Sequence, residues 1–279
     1  MYHIIADSSC DIFTLKDESF TTVPLMVNTN ERSFLDDEHL DIAEMIEYML
    51  AYKGRSYTAC PATSSWLAAF DSLGADTDEI YVVTLTGNLS GTYNSACVAR
   101  DIYLESHPNT KFFVLDSLSV GPEVVLIIEK ISELKKTGHD FDTVCCEIKA
   151  YMKRTRLYFA FRSLHNLAQN GRVSKLATTA AGVLGISVYG TASPDGYIET
   201  LGKARGEKRV IESLLKAVSS AGYAGGKVSI THTENEPLAM CLRDKILESF
   251  PGAKIEIHPA RGLCAYYCER GGVCLALET

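Results

Sequence analysis

The chain has 279 residues, 46% hydrophobic and 22% charged, the balance of a soluble globular protein rather than a disordered one. Its formal net charge of −8, with no basic cluster to override it, argues against nucleic acid as the main partner. No apolar run reaches the roughly 18 residues of a membrane span, and the start MYHIIADSSC has no basic leader, so the expected compartment is the cytoplasm.

Strand and helix patterns alternate through the first half. Apolar, β-branched runs predict strands at His3–Asp7, Thr22–Val27, Ile80–Leu85 and Lys111–Asp116. Helical periodicity predicts helices at Ile42–Ala51, Ser64–Gly74, Tyr93–Glu105, Val124–Lys136 and Phe141–Lys153. That order implies an α/β layer with a mainly parallel sheet, in which ligands gather beyond the strand C-termini. Polar signatures stand there after three strands: Asp7-Ser8-Ser9, Thr86–Thr92 and Asp116-Ser117. Each alone also fits an Asx-type turn.

The segment after Ile80–Leu85 is the most informative. Ser90, Gly91 and Thr92 open a helix whose free N–H groups and dipole favour an anion. The alternative is that Ser90 is an ordinary N-cap.

A boundary is expected near Arg154–Arg156, dividing the chain into units 1–155 and 156–279. Beyond it come a strand at Leu157–Phe161 and a short helix at Ser163–Asn170, with Ser163 as N-cap and Gly171 as C′ glycine. An apolar stretch Ala180–Tyr189, a turn at Ser193–Gly196 and a strand at Tyr197–Leu201 follow. Helix Lys208–Ser219, strand Lys227–His232, helix Pro237–Phe250 and strand Lys254–His258 complete a second α/β unit.

The nine cysteines include no C-x-x-C pair and are expected to be reduced thiols. Cys264, Cys268 and Cys274 with His258 are zinc-ligand types, but Leu263, Ala265, Tyr266 and Tyr267 around them read as a packed helix. No metal site is expected.

Taken together, the segments resemble the DegV family of bacterial fatty-acid-binding proteins over essentially the whole chain. The matching pieces are IIADSSCD, Thr58-Ala59-Cys60-Pro61, Leu89-Ser90-Gly91-Thr92-Tyr93 with Ser95-Ala96, and Val114-Leu115-Asp116-Ser117. Further on come Leu164…Leu167…Asn170-Gly171-Arg172-Val173-Ser174, Lys203-Ala204-Arg205-Gly206 and a terminal segment around His258. The resemblance implies two α/β domains, the first with a mainly parallel sheet and the second with a mixed one, holding a lipid between them.

It also implies that the lipid carboxylate meets hydroxyls of a Thr-Ser-x-Pro loop and a Ser-Gly-Thr turn. Here these are Thr58 and Ser90, flanked by Gly91 and Thr92; Ala59 stands where many members have a second hydroxyl. Arg205 matches a basic position facing the lipid head or a partner. His258 begins His258-Pro259-Ala260-Arg261-Gly262, where relatives read His-x-Gly-Pro-Gly, so the glycine-proline interior is lost. Phe159–Phe161, Leu164, Leu167 and Val183–Val188 are candidate walls for the tail, and equally plain core.

The function so implied is binding, not catalysis. A long-chain fatty acid such as palmitate or oleate would be presented to a separate fatty acid kinase, with transient membrane contact and no cofactor. Burying about a dozen methylenes is worth roughly 10 kcal/mol gross, against on the order of 1.5–3 for each hydrogen bond to the charged head. The tail would supply affinity and the head orientation. The competing reading is a serine-dependent acyl hydrolase or acyltransferase with Ser90 as nucleophile, but G-x-S-x-G is absent. A phosphate or nucleotide binder at the same turn is a third, although neither G-x-x-x-x-G-K-[ST] nor G-x-G-x-x-G occurs.

Overall fold

A computed structural model describes residues 1–16, 18–173 and 185–279. In the first half β1 (Tyr2–Asp7) leads through a 3-10 turn at Ser8–Cys10 to β2 (Phe20–Val23), β3 (Met26–Thr29), β4 (Ser33–Leu35) and α1 (Ile42–Ala51). Then follow β5 (Ser56–Ala59), α2 (Thr63–Asp71), β6 (Glu79–Thr84), α3 (Thr92–Ser106), β7 (Lys111–Asp116), α4 (Pro122–Lys136) and α5 (Phe141–Tyr151).

Strands β2-β1-β6-β7 form a four-stranded, wholly parallel sheet. Its residues alternate between two cores, as the period of a strand requires. Ile5, Ile80 and Val82 pack with Trp66 and Phe70 of α2 and Ala96 of α3. Ile4, Ala6 and Val83 pack with Val124, Ile127 and Ile131 of α4. Helices on both faces explain the unbroken apolar runs.

The expected strand Thr22–Val27 is instead two strands in two sheets. Pro24 has no N–H to continue a ladder, and at Leu25 the backbone leaves the parallel sheet. There the Leu25 N–H donates to Ser8 Oγ at 3.0 Å and its carbonyl accepts from Asp36 N at 2.9 Å. The chain then enters a three-stranded antiparallel sheet, β4-β3-β5, in which Val27 pairs with Thr58.

The second half contains β8 (Thr155–Phe161), α6 (His165–Gln169), β9 (Ile186–Ala192), β10 (Ile198–Arg205) and α7 (Glu207–Ser220). After these come β11 (Lys227–His232), α8 (Glu236–Ser249), β12 (Lys254–Pro259), α9 (Gly262–Cys268) and β13 (Val273–Glu278). Six strands form a mixed sheet in the order β10-β9-β8-β13-β11-β12, with β11 and β12 parallel and the other neighbours antiparallel. One face, with Tyr158, Ala160 and Leu275, packs against α7 and α8. The other carries Leu157, Phe159 and Phe161 toward Leu126 of α4. Helix α4 thus contributes to the cores of both large sheets.

The remaining expected elements agree with these to within a few residues, but the N-cap of α6 is Leu164 and not Ser163, whose Oγ accepts from His165 N at 3.0 Å. Of the stretch Ala180–Tyr189, the part up to residue 184 lies outside the described residues. Among the described residues no helix is long and apolar enough to cross a membrane.

Candidate functional site

Beyond the C-terminal ends of the parallel strands lies a narrow cavity between that sheet's loops and the inner face of the six-stranded sheet. The cavity volume is about 90 Å³, several times the ~10–15 Å³ that one water needs. One wall is Leu25, Leu85, Val120 and Leu263; the other is Leu157, Phe159, Phe161 and Leu167. Phe159 and Phe161 are stacked, with ring centroids 4.6 Å apart.

Thr58 and Ser90 both line this cavity. Thr58 reaches it from β5, because residues of one strand alternate faces and Ser56 and Thr58 both turn toward α9. Ser56 Oγ lies 2.7 Å from the Tyr266 hydroxyl, and Thr58 Oγ1 lies 2.7 Å from that of Tyr267. Burial raises the Tyr267 hydroxyl's pKa, while the Thr58 hydroxyl and the nearby Arg172 charge oppose the rise. Ser90 is not the N-cap of α3. Gly91 holds that position without any side-chain cap bond. Ser90 Oγ instead pairs with Thr92 Oγ1 at 2.8 Å, and Thr92 is fully buried. The two loops touch: a Cβ on Gly91 would lie 3.3 Å from Cys60 Sγ, two residues beyond Thr58.

Among the described residues lining the cavity, Arg172 is the sole cation. Gly171, at φ +74°, ends α6 and turns the chain so that Arg172 approaches. Its Nε donates to the Leu89 carbonyl at 3.2 Å and its Nη1 to that of Asn170 at 2.5 Å. Asn170 Nδ2 in turn donates to the Tyr266 hydroxyl at 3.0 Å. One polar network therefore joins β5, α6, α9 and the Ser90 turn. Such a grouping, a cation with hydroxyls in a cavity whose walls are mostly apolar, suits a carboxylate carrying a hydrocarbon chain.

The DegV family profile, described as an uncharacterised protein family, matches residues 1–279. The chain belongs to the DegV family. A DegV domain-containing protein of Streptococcus pneumoniae (strain ATCC BAA-255 / R6) is 43% identical over 281 residues, which cover 99% of each chain. Among solved structures, a DegV family protein from Eubacterium eligens loaded with heptadecanoic acid is 48% identical, with a TM-score of 0.97 and 100% of both chains covered. The Streptococcus pneumoniae fatty acid kinase B3 protein loaded with linoleic acid is 42% identical, with a TM-score of 0.96 over 100% of this chain and 99% of that one.

In this DegV chain the polar strand endings have different tasks. Asp7 Oδ2 accepts from Leu85 N at 2.7 Å, and Asp116 Oδ1 accepts from Gly87 N at 3.0 Å. Both carboxylates shape the loop that delivers Ser90. Arg205 and His258 do not line the cavity. Arg205 is exposed at the far end of β10, on the order of 20 Å along the strand from the lining residue Ile198. His258 lies on the edge strand β12, three strands and roughly 14 Å from β8. Its Nε2 is 3.4 Å from Glu256. It is also two strand spacings, about 10 Å, from Cys274 in the same row, so it does not join the Cys268–Cys274 pair, whose sulfurs are 3.6 Å apart.

Phe159, Phe161 and Leu167 are lining residues, as expected of walls. Ala160 faces the opposite core, Leu164 and Val188 lie in the cluster behind the wall, and residues 183 and 184 fall outside the described residues. Arg172, present in the sequence only within a longer motif, and Tyr267 are polar cavity residues beside Thr58 and Ser90 to which the sequence assigned no role. A basic residue directly after a C′ glycine was the available signal for Arg172.

Proposed function

We propose that this chain binds a long-chain fatty acid and presents its carboxylate to a fatty acid kinase. The carboxylate takes hydrogen bonds from Thr58 and Ser90 beside the Arg172 charge, and the tail lies between Leu25 and Leu263 on one side and Phe159 and Phe161 on the other. The observation carrying this is the shared cavity: among the described residues lining it, Thr58 and Ser90 come from distant loops and Arg172 is the sole cation, with largely apolar walls leading away. Relatives above 40% identity bound to heptadecanoic and linoleic acids, one of them a fatty acid kinase B3 protein, support it. A cargo this apolar is drawn from a membrane, so transient contact with a bilayer belongs to the reading, and no cofactor is needed.

Ser90 makes no hydrogen bond to a histidine or carboxylate among the described residues; its partner is Thr92. Hydrolysis by an activated serine therefore lacks its base. Native mass spectrometry of the purified chain tests the proposal: a long-chain acid bound at one per chain is expected, and transfer of phosphate to that acid by an added kinase. A chain that takes up no fatty acid overturns it.

A further inference from the structure

Three buried carboxylates, Asp7, Asp11 and Asp36, stand near the loop ends of the parallel sheet, and two are fully engaged. Asp36 accepts from Ser8 Oγ, Gly262 N and Leu263 N at 2.7–2.9 Å. Asp7 accepts from Leu85 N and Ser9 N. Asp11 is different. Its residue is 5% exposed, and Oδ1 accepts from Arg261 N at 2.7 Å, but Oδ2 has no partner among the described residues.

That atom stands at the cavity wall. Asp11, Gly121 and Cys264 all line the cavity, and a Cβ placed on Gly121 would lie 3.5 Å from Asp11 Oδ2 and 3.7 Å from Cys264 Sγ. The thiol donates to the Ser9 carbonyl at 3.3 Å. Around this spot the wall is Leu25, Val120 and Leu263, so Asp11 is the only acid lining the cavity among the described residues. Leaving a buried polar atom unpaired is costly. Tethering Arg261 uses only Oδ1, and a plain hydrocarbon tail gives Oδ2 nothing. Burial pushes the Asp11 carboxyl well above the ordinary range, against the opposing pull of the Arg261 N–H and of the Cys264 thiol beside it. When protonated Oδ2 donates and when ionised it accepts, and a hydroxyl satisfies either state.

We infer that the wall at Asp11 is a polar subsite for a hydroxyl group on the ligand's hydrocarbon chain, so that the ligands of this chain include hydroxylated long-chain fatty acids. The inference rests on the fatty-acid reading above and narrows it to a substrate class. Cys264 precedes Tyr267, the partner of Thr58, by one turn of α9, roughly 4.5 Å of rise, so the subsite is separate from the carboxylate end. The favoured hydroxyl is therefore on the chain and not next to the carboxylate.

The test is a positional series of monohydroxystearic acids, with stearic acid as reference, titrated against the wild-type chain and the Asp11→Asn and Asp11→Leu variants. The expected result is one position, or two adjacent ones, bound about tenfold more tightly than the other isomers. That preference persists in Asp11→Asn, which keeps both an acceptor and a donor, and disappears in Asp11→Leu while stearic acid still binds. A flat series on the wild-type chain that binds stearic acid overturns the inference without needing any variant to fold. A preference surviving in Asp11→Leu overturns it as well. Failure of every acid to bind overturns the fatty-acid reading and this inference with it.

Discussion

Thr58, Ser90 and Arg172 reach one cavity from three separate stretches of chain, and on the proposed function their worth is orientation rather than grip. A hydrogen bond to a charged group contributes about 1.5–3 kcal/mol. Thr58→Val or Ser90→Ala should therefore weaken binding of a long-chain acid roughly ten- to hundredfold, and kinase transfer more than retention. The methyl ester of the same acid should bind both variants as it binds the wild type; calorimetry that shows equal losses for acid and ester would put the carboxylate elsewhere. The two hydroxyls were legible because short motifs carry them. Arg172 was not, because its approach depends on the turn at Gly171 and on Asn170 bonding Tyr266. Asp36 belongs to this scale too. Burial pushes its carboxyl up to about 6 from an ordinary 3.8, against the pull of three donors. The native state then holds this proton more tightly than the unfolded one, so the contribution is complete below pH ~4 and is lost as pH rises through ~6. Asp36→Asn should be at its greatest disadvantage near pH 4, and the deficit should shrink toward pH 6 by about 1.4 kcal/mol for each pH unit. Urea midpoints of the two proteins across that range check it; a deficit that widens with pH would mean the buried group is held ionised.

Among the elements, the turn between β9 and β10 is the one that presses on the site. Gly196 adopts φ +78°, and a Cβ there would lie 2.3 Å from Thr86 Oγ1 and 2.9 Å from the Leu118 carbonyl. Asn88 Nδ2 also donates to the Asp195 carbonyl at 2.6 Å, so the hairpin tip rests on the loop that leads to Ser90. Gly196→Ala should lose stability by ~1–3 kcal/mol from crowding in addition to the left-handed strain, and should weaken fatty-acid binding. Gly138 (φ +85°), with open space around it, is the control: Gly138→Ala should show the backbone strain alone and leave binding unchanged. Denaturant titration of both variants separates the two effects. The long helices and parallel strands were readable because each buries an unbroken or strictly periodic set of side chains. Strand β5 was not, because its inward residues Ser56 and Thr58 are hydroxyls of the site while Tyr57 is 44% exposed, which inverts the usual pattern. Nor was β13, central in its sheet: Val273–Leu277 is buried on both faces, but a run that short, with only Val273 β-branched, does not separate a strand from a buried helix segment. The break at Pro24 was written in the sequence, but only the bonds of Leu25 to Ser8 and Asp36 show that it changes sheets.

At the scale of the molecule, no single layer makes the cavity. The parallel sheet supplies the Ser90 loop, the three-stranded sheet supplies Thr58, and the six-stranded sheet supplies the Phe159 and Phe161 wall. Asp36 ties these together by holding the first N–H groups of α9, and Gly262 permits that approach: a Cβ there would lie 2.6 Å from Asp36 Oδ1. Such convergence of distant segments is why the family motifs in the sequence were scattered and why Arg205 and His258, though in register with them, fall outside the cavity. On the proposed function the tail, at roughly 0.8 kcal/mol for each buried methylene, outweighs the head in affinity, and the head would decide which end faces a kinase. A crystal structure of the chain with a long-chain fatty acid tests this most directly. The account requires the carboxylate oxygens to lie within hydrogen-bonding distance of Thr58 Oγ1 and Ser90 Oγ, with the chain running past Phe159 and Phe161. A carboxylate found at the opposite end of the cavity, or an acid bound outside it, would contradict the account.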